Sequence, residues 1–211
     1  MPKRTAAAHA RRSTLPTTRP TRGGPMTSDR RDRLIRAARQ LFVERGFRAA
    51  GIDAILELAG VAKMTLYNHF GSKDALIREV LNHHDVESRT ACQLAMSDAD
   101  GSARDALLVA FERLGAEIAS EQFDGGLFVR AAYEFAGEGD VYRNAASEHG
   151  KRVCSLFVPY LVELGVDDPA ETAERLVMLL DAARTAAFAR GDAEAARRAT
   201  SLAALVIDDA A

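Results

Sequence analysis

Cysteine is nearly missing from the 211 residues: only Cys92 and Cys154 occur, far apart and each inside a helical pattern. That excludes a disulfide framework and fits a reducing cytosol. No apolar run approaches the ~18 residues of a membrane-spanning helix. The basic N-terminus lacks the apolar stretch of a secretory signal, so a cytoplasmic protein is expected. Glycine and proline are sparse beyond the N-terminus and alanine is abundant, which favours helices. Strand-type alternation, internal repeats and a glycine-rich phosphate loop are all lacking, and an all-α chain is expected.

Catalytic signatures are missing as well. No HExxH, CxxC, GxSxG or Walker-type pattern occurs. His83-His84-Asp85 and the pair Glu134 with His149 come nearest to metal or base chemistry. Adjacent histidines on a helix point about 100° apart and hold one ion poorly. The expectation is therefore no enzyme, no cofactor and no metal site.

What the chain does have is charge separated along its length. Residues 1–26 hold six basic side chains and no acidic one. Residues 27–73 balance at +4 and residues 74–211 at −12, for a net charge of −2. A basic front and an acidic rear direct one end towards a polyanion and keep the other away from it.

Residues 1–26 are rich in Arg, Thr, Pro and Gly and cannot bury enough apolar surface to fold, so they read as a disordered basic arm. Such an arm adds phosphate contacts; alternatively Met26 is the native start, since Thr27 or Ser28 caps a helix directly after it. That helix runs from about Asp29 to Arg45, with Leu34, Ala38, Leu41 and Phe42 as its buried stripe. Gly46 ends it, and Phe47 closes the core beyond the turn. A second short pattern follows, with Ile52, Ile55, Leu56 and Ala59 at i, i+3, i+4 and i+7. Gly60 breaks it, Val61 re-enters the core, and a third pattern spans about Lys63 to Phe70. Two short helices around a tight glycine turn form a helix-turn-helix.

In the third helix Leu66 and Phe70 share the inward side, which leaves Met64, Thr65, Tyr67 and Asn68 outward with Lys63 and His69 on the flanks. This outward face has no acidic residue and offers hydrogen-bonding, cationic and apolar groups together. Such a mixture suits a major groove, where phosphates position a helix and base edges are read. On spacing alone an ordinary helical hairpin remains an alternative.

Further helical patterns follow. Ser72 caps a fourth, reaching about Met96, with Leu76, Val80 and Leu81 packing back on the first three. Others cover about 102–120, 126–136 and 140–164, the last containing Pro159. Asp168, Pro169 and Glu171 start a helix that reaches Arg190. Asp192 is expected to cap the last one, to about Ile207. The last two carry more apolar and alanine surface than one face needs, so they pack either as core or across a two-fold interface.

The wording AGVAKMTLYNHFGSKDAL resembles the DNA-binding domain of the tetracycline-repressor (TetR) family, with its AGV turn, its TLYxHF recognition helix and the SK that follows. The resemblance runs from about Ser28 to Leu81. It implies a helix-turn-helix domain over 27–73 and a helical regulatory and dimerisation domain over 74–211. Lys63, Met64, Thr65, Tyr67, Asn68 and His69 stand where the family contacts DNA, and Lys73 where a phosphate is met. Gly51, before Ile52, replaces the usual capping Thr or Ser, and Asp53 holds a position often basic or neutral. Both departures weaken the expected phosphate contact at that helix start.

The stretches GGLFVRAAYEF and LVMLLDAARTAA, and the helix with SEHGKRV, resemble more loosely the variable regulatory domain of such proteins. Expected pocket residues are Phe111, Phe128, Tyr133, Met178 and Phe188, with Glu134 and His149 as polar anchors. The resemblance implies a repressor that binds a palindromic double-stranded DNA operator as a homodimer through the last two helices, about 169–207. A small-molecule effector would release it. Rival readings are an activator or architectural DNA binder without ligand, and an all-helical enzyme or scaffold.

Overall fold

The structure, a computed structural model, describes residues 25–121 and 123–211. Within them the chain is all helical, with nine helices and no strand. The expected basic arm lies outside the described residues apart from Pro25 and Met26, which open the first helix, α1 (Pro25–Arg45). That start lies upstream of Thr27 and Ser28, the expected caps. Proline suits a first helical position, where its missing N–H has no partner to lose.

The next three helices are α2 (Ile52–Ala59), α3 (Lys63–Phe70) and α4 (Lys73–Ser97). Ile55, Leu56 and Ala59 are buried on α2, and Leu66 on α3. Gly60 sits between them at φ +62°, and its amide bonds back to Glu57 O and Leu56 O. Glycine takes this left-handed conformation without steric cost, and so makes the turn tight. The Ser72 hydroxyl accepts from Ala75 N at 3.1 Å and starts α4.

The rear helices are α5 (Ala103–Ile118), α6 (Leu127–Glu134), α7 (Val141–Glu163), α8 (Pro169–Arg190) and α9 (Ala195–Ala210). Ser102 and Asp105 form a reciprocal capping box on α5. The Asp168 carboxylate accepts from Glu171 N at 3.0 Å with Pro169 first in the helix, the cap read from the sequence. Asp192 instead accepts from Glu194 N at 3.2 Å, inside the turn, and α9 begins only at Ala195. The other carboxylate oxygen of Asp192 pairs with the Arg198 guanidinium in the first turn of α9, so the side chain meets that turn as an ion pair and not as a backbone cap.

Two apolar clusters organise these helices. One joins Leu34, Leu41, Phe42 and Phe47 to Ile55, Leu66, Leu76 and Leu81, and extends to Leu127, Ala131, Phe135 and Tyr142. The other holds Met96, Leu107, Phe111, Leu114, Phe157, Leu161, Leu176 and Leu180 with Ala203 and Ile207 of α9. Each such large side chain contributes about 1.5–3 kcal/mol on burial. Helix α4 feeds the first cluster from its N-terminal half and the second through Met96. No helix among the described residues is long and apolar enough to cross a membrane.

Candidate nucleic-acid interface and regulatory cavity

Leu66 anchors α3 inward, which turns Lys63, Met64, Tyr67 and Asn68 into solvent and leaves Thr65 and His69 half-buried. Met64 is 66% exposed and Tyr67 40%, large apolar surfaces to leave in water without a partner. Arg31 lies over the Phe70 ring at 5.7 Å and is ion-paired with Glu79. Lys63 Nζ stands 3.8 Å from the Asp53 carboxylate, both well exposed. Asp53 therefore competes with a phosphate for that ammonium.

Gly51 is the N-cap of α2 at φ −70° and ψ 148°, with no side-chain cap bond, and Ile52 behind it is half-buried against the core. A Cβ added at Gly51 would meet nothing within 4 Å, so the missing hydroxyl is a choice of sequence and not of space. Lys73 Nζ donates to Arg48 O at 3.0 Å, and burial, opposed by Glu134 and Asp74, holds its pKa below the ordinary lysine value. Its ammonium keeps further donors for a phosphate.

A cavity of about 90 Å³ lies between α4, α5, α7, α8 and the start of α6. Phe128, Leu127, Val153 and Leu180 give it apolar walls, and His84, His149, Asp181 and Arg184 give it polar ones. His149 stacks on Phe128 at 4.2 Å, and its Nδ1 lies 2.7 Å from Asp85 Oδ1. Burial holds the His149 pKa below the ordinary value although Asp85 opposes this. The neutral ring must then carry its proton on Nδ1, since a carboxylate only accepts, and Nε2 remains an acceptor.

Asp85 is 3% exposed. Arg89 donates to it at 2.9 and 3.1 Å and Arg152 at 3.1 Å. Burial alone would raise this carboxyl, but the bonds from Arg89 and His149 overcome it and hold the pKa at about 2. Arg184 spans Glu117 at 3.6 Å and Asp181 at 3.7 Å. Burial raises the Asp181 carboxyl, with Arg184 and His149 opposing.

His84 lies 3.9 Å from buried Asp124 of the α5–α6 connection. Burial pushes its pKa from 6.5 down to about 4; Asp124 opposes, and Arg39, His149 and Arg184 add to the fall. Because the folded value lies below the unfolded one, the unfolded chain takes up the proton first. The stability His84 contributes is present above about pH 6.5 and is lost as pH falls towards 4. Asp85 gives way only below pH 3.8, outside that window. Stability in urea should therefore be lower at pH 5 than at pH 7; His149, lowered in the same direction, adds to the loss, and His84→Gln should remove about 2 kcal/mol of it. An equal loss in the variant would refute this role for His84.

The seven expected pocket residues do not converge. Phe128 and His149 line the cavity. Phe111 is fully buried in the rear core, beneath a groove between α5 and α9. Tyr133, Glu134 and Phe188 border an outer groove of α6 and α8, where Tyr133 is 79% exposed. Met178 faces solvent at 69%. Glu134 does not approach His149; its carboxylate accepts from Phe47 N and Arg48 N in the turn after α1. For Met178 and Phe188 the cause is that α8 is apolar on more than one face, so its period alone does not say which face looks inward.

His84, Asp181 and Arg184, which line the cavity, and Asp85, which holds His149, were not among the expected residues. A signal for Asp85 does exist: it follows buried Leu81 by four residues, so an acid sits on the apolar stripe of α4 and needs partners. Arg89, again four residues on, is the nearest of them.

The profile of the bacterial regulatory proteins of the tetR family matches residues 34–80, from the buried stripe of α1 through α3 into α4. Residues 34–80 thus carry a TetR-type DNA-binding domain. A TetR-family transcriptional regulator from Streptomyces coelicolor has a similar structure, with a TM-score of 0.77 at 26% identity over 86% of this chain and 90% of that one. Reduced NemR from Escherichia coli has a similar fold, with a TM-score of 0.76 at 22% identity over 83% and 95%. In sequence, the transcriptional activator FasR of Mycolicibacterium smegmatis is 48% identical over 64 residues, 30% of this chain and 29% of that regulator's length. The close likeness to this regulator thus covers under a third of its length. These relatives are named as transcriptional regulators and not as enzymes.

Proposed function

We propose that the chain is a cytoplasmic transcriptional repressor that binds a palindromic double-stranded DNA operator as a homodimer and is released by a small-molecule effector. The observation that carries this reading is the outward face of α3, where Lys63, Met64, Thr65, Tyr67, Asn68 and His69 surround a helix anchored by Leu66. Gly51, Ile52 and Lys73 flank it at the starts of α2 and α4. Dimerisation through α8 and α9 is supported by exposed Met178, Leu202 and Leu205, the last 65% exposed. One recognition helix reads only a few base pairs, whereas two about 34–36 Å apart read an inverted repeat. In this reading the unit over 27–73 binds DNA and the unit over 74–211 senses the effector and dimerises.

The effector site is assigned to the cavity of Phe128, His149 and Arg184, which is closed by five helices including α4. Selection of bound duplexes from random DNA, with purified protein at physiological salt, tests the reading. Enrichment of an inverted repeat is the expected result. Binding that enriches nothing and fades as salt rises would sink it. FasR is named as an activator, so transcription from the selected operator, with and without protein, decides the sign of regulation.

A further inference from the structure

Helix α6 holds the turn that follows α1 by two side chains of opposite charge, one helical turn apart. Gly46 ends α1 at φ +86°, and this left-handed step sets the amides of Phe47 and Arg48 side by side. Such paired amides form an anion-binding concavity. Glu134, the last residue of α6, fills it, accepting from Phe47 N at 2.9 Å and Arg48 N at 2.6 Å. The seat is closely built: a Cβ on Gly46 would come within 3.2 Å of the carboxylate.

Arg130 lies four residues earlier, on the same face of α6. It donates to Phe42 O at 3.2 Å and Val43 O at 3.1 Å, the carbonyls that end α1, and to Asp124 O at 2.9 Å. A cation thus meets the negative end of α1, and an anion meets the amides just beyond it. Arg48 answers from the other side. Its Nε donates to Glu134 O at 3.0 Å, its guanidinium pairs with Glu138, and it lies over the Phe135 ring at 4.9 Å. Lys73 then ties Arg48 O to the start of α4.

Helix stability does not account for Glu134. A carboxylate in the last turn of a helix opposes the helix dipole, so α6 alone would favour a neutral or basic residue there. What it gains is the turn that leads directly into α2 and α3. The first residues of α6, Leu127 to Val129, line the cavity. The cavity wall and the grip on α1 thus share one helix of eight residues, about 12 Å long.

From this arrangement we infer that Glu134 and Arg130 are positioning residues for DNA recognition: together they fix where the α2–α3 unit sits relative to the rear helices. The inference rests on the DNA-binding reading above. In a dimer, the consequence is a defined distance between the two recognition helices, hence a strict half-site spacing.

The test uses the full chain and three variants, Glu134→Ala, Glu134→Gln and Arg130→Met. In Glu134→Ala the amides of Phe47 and Arg48 should exchange with deuterium roughly tenfold faster, while those of α8 stay unchanged. On duplexes carrying the selected half-sites with one base pair added or removed, the wild type's preference for its own spacing should shrink by roughly fivefold or more. Affinity for a single half-site should change less than twofold. Glu134→Gln, which keeps one accepting oxygen, should fall between the two. Arg130→Met should relax the spacing in the same way.

A spacing preference unchanged in folded Glu134→Gln and Arg130→Met would overturn the inference and leave a structural contact only. Unchanged exchange at Phe47 and Arg48 in Glu134→Ala would overturn it too. If the wild type selects no duplex, the DNA-binding reading fails, and the positioning role fails with it whatever the exchange shows.

Discussion

Replacing Tyr67 with alanine should weaken operator binding by roughly ten- to a hundredfold, because a base contact in the major groove is worth about 1–3 kcal/mol. The fold should be unaffected. The ring is 40% exposed and stands outside the core that Leu66 anchors. The backbone carbonyl of Tyr67, which accepts from Gly71 N at 3.0 Å and closes α3, is untouched by the substitution. A stability change within about 0.5 kcal/mol is therefore expected. Titration of the selected duplex and of a scrambled one, at two salt concentrations, separates the possibilities. Specific affinity should fall with the salt slope nearly constant. Equal loss on both duplexes would remove Tyr67 from the base-reading face.

The second large effect is on stability. Phe47→Ala should cost about 3–5 kcal/mol in urea unfolding, the usual range for deleting a buried phenyl ring. Phe47 is fully buried, 5.0 Å from the Phe42 ring and 6.2 Å from that of Phe135, which stacks in turn on Tyr142 at 4.4 Å. This row of rings runs from α1 to α7 through α6, so the cavity left by the substitution opens where the front helices meet the rear ones. A domain of this size is typically stable by 5–15 kcal/mol, which makes the variant marginal at 37 °C. A loss below about 1 kcal/mol would mean the surrounding rings collapse into the space.

The row of rings also shows what was legible in the sequence. Phe47 was readable as a core residue because it follows a helix stripe and a terminating glycine, all within a few residues. The α2–Gly60–α3 hairpin was readable for the same reason: periodicity, turn chemistry and outward face are local properties. That Phe47 meets Phe135, and that Glu134 seats on its amide, was not readable. Those contacts join residues 87 positions or more apart, and nothing local in GGLFVRAAYEF distinguishes a pocket acid from one that seats on a turn. The rear helices were harder for a second reason. Alanine-rich stretches such as DAARTAAFAR have little contrast between faces, so Met178 and Phe188 looked as able to point inward as Leu180 did. Asp85 was the one distant contact that could have been anticipated, since a charge on an apolar stripe demands partners.

The two thiols have a practical use. Both are free, and burial raises the pKa of each; that of Cys154 is pushed up to about 11. At neutral pH only ~1 in 10,000 molecules then carries a Cys154 thiolate, against a few in a hundred for an ordinary cysteine. Alkylating reagents attack the thiolate, so buried Cys154 waits for the surrounding helices to part, whereas half-buried Cys92 is reached more readily. Cys92 reports on the tail of α4 and Cys154 on the middle of α7. The unmodified protein thus carries a clock: the Cys154 labelling rate times how often the helices around the middle of α7 part, with Cys92 as the faster reference.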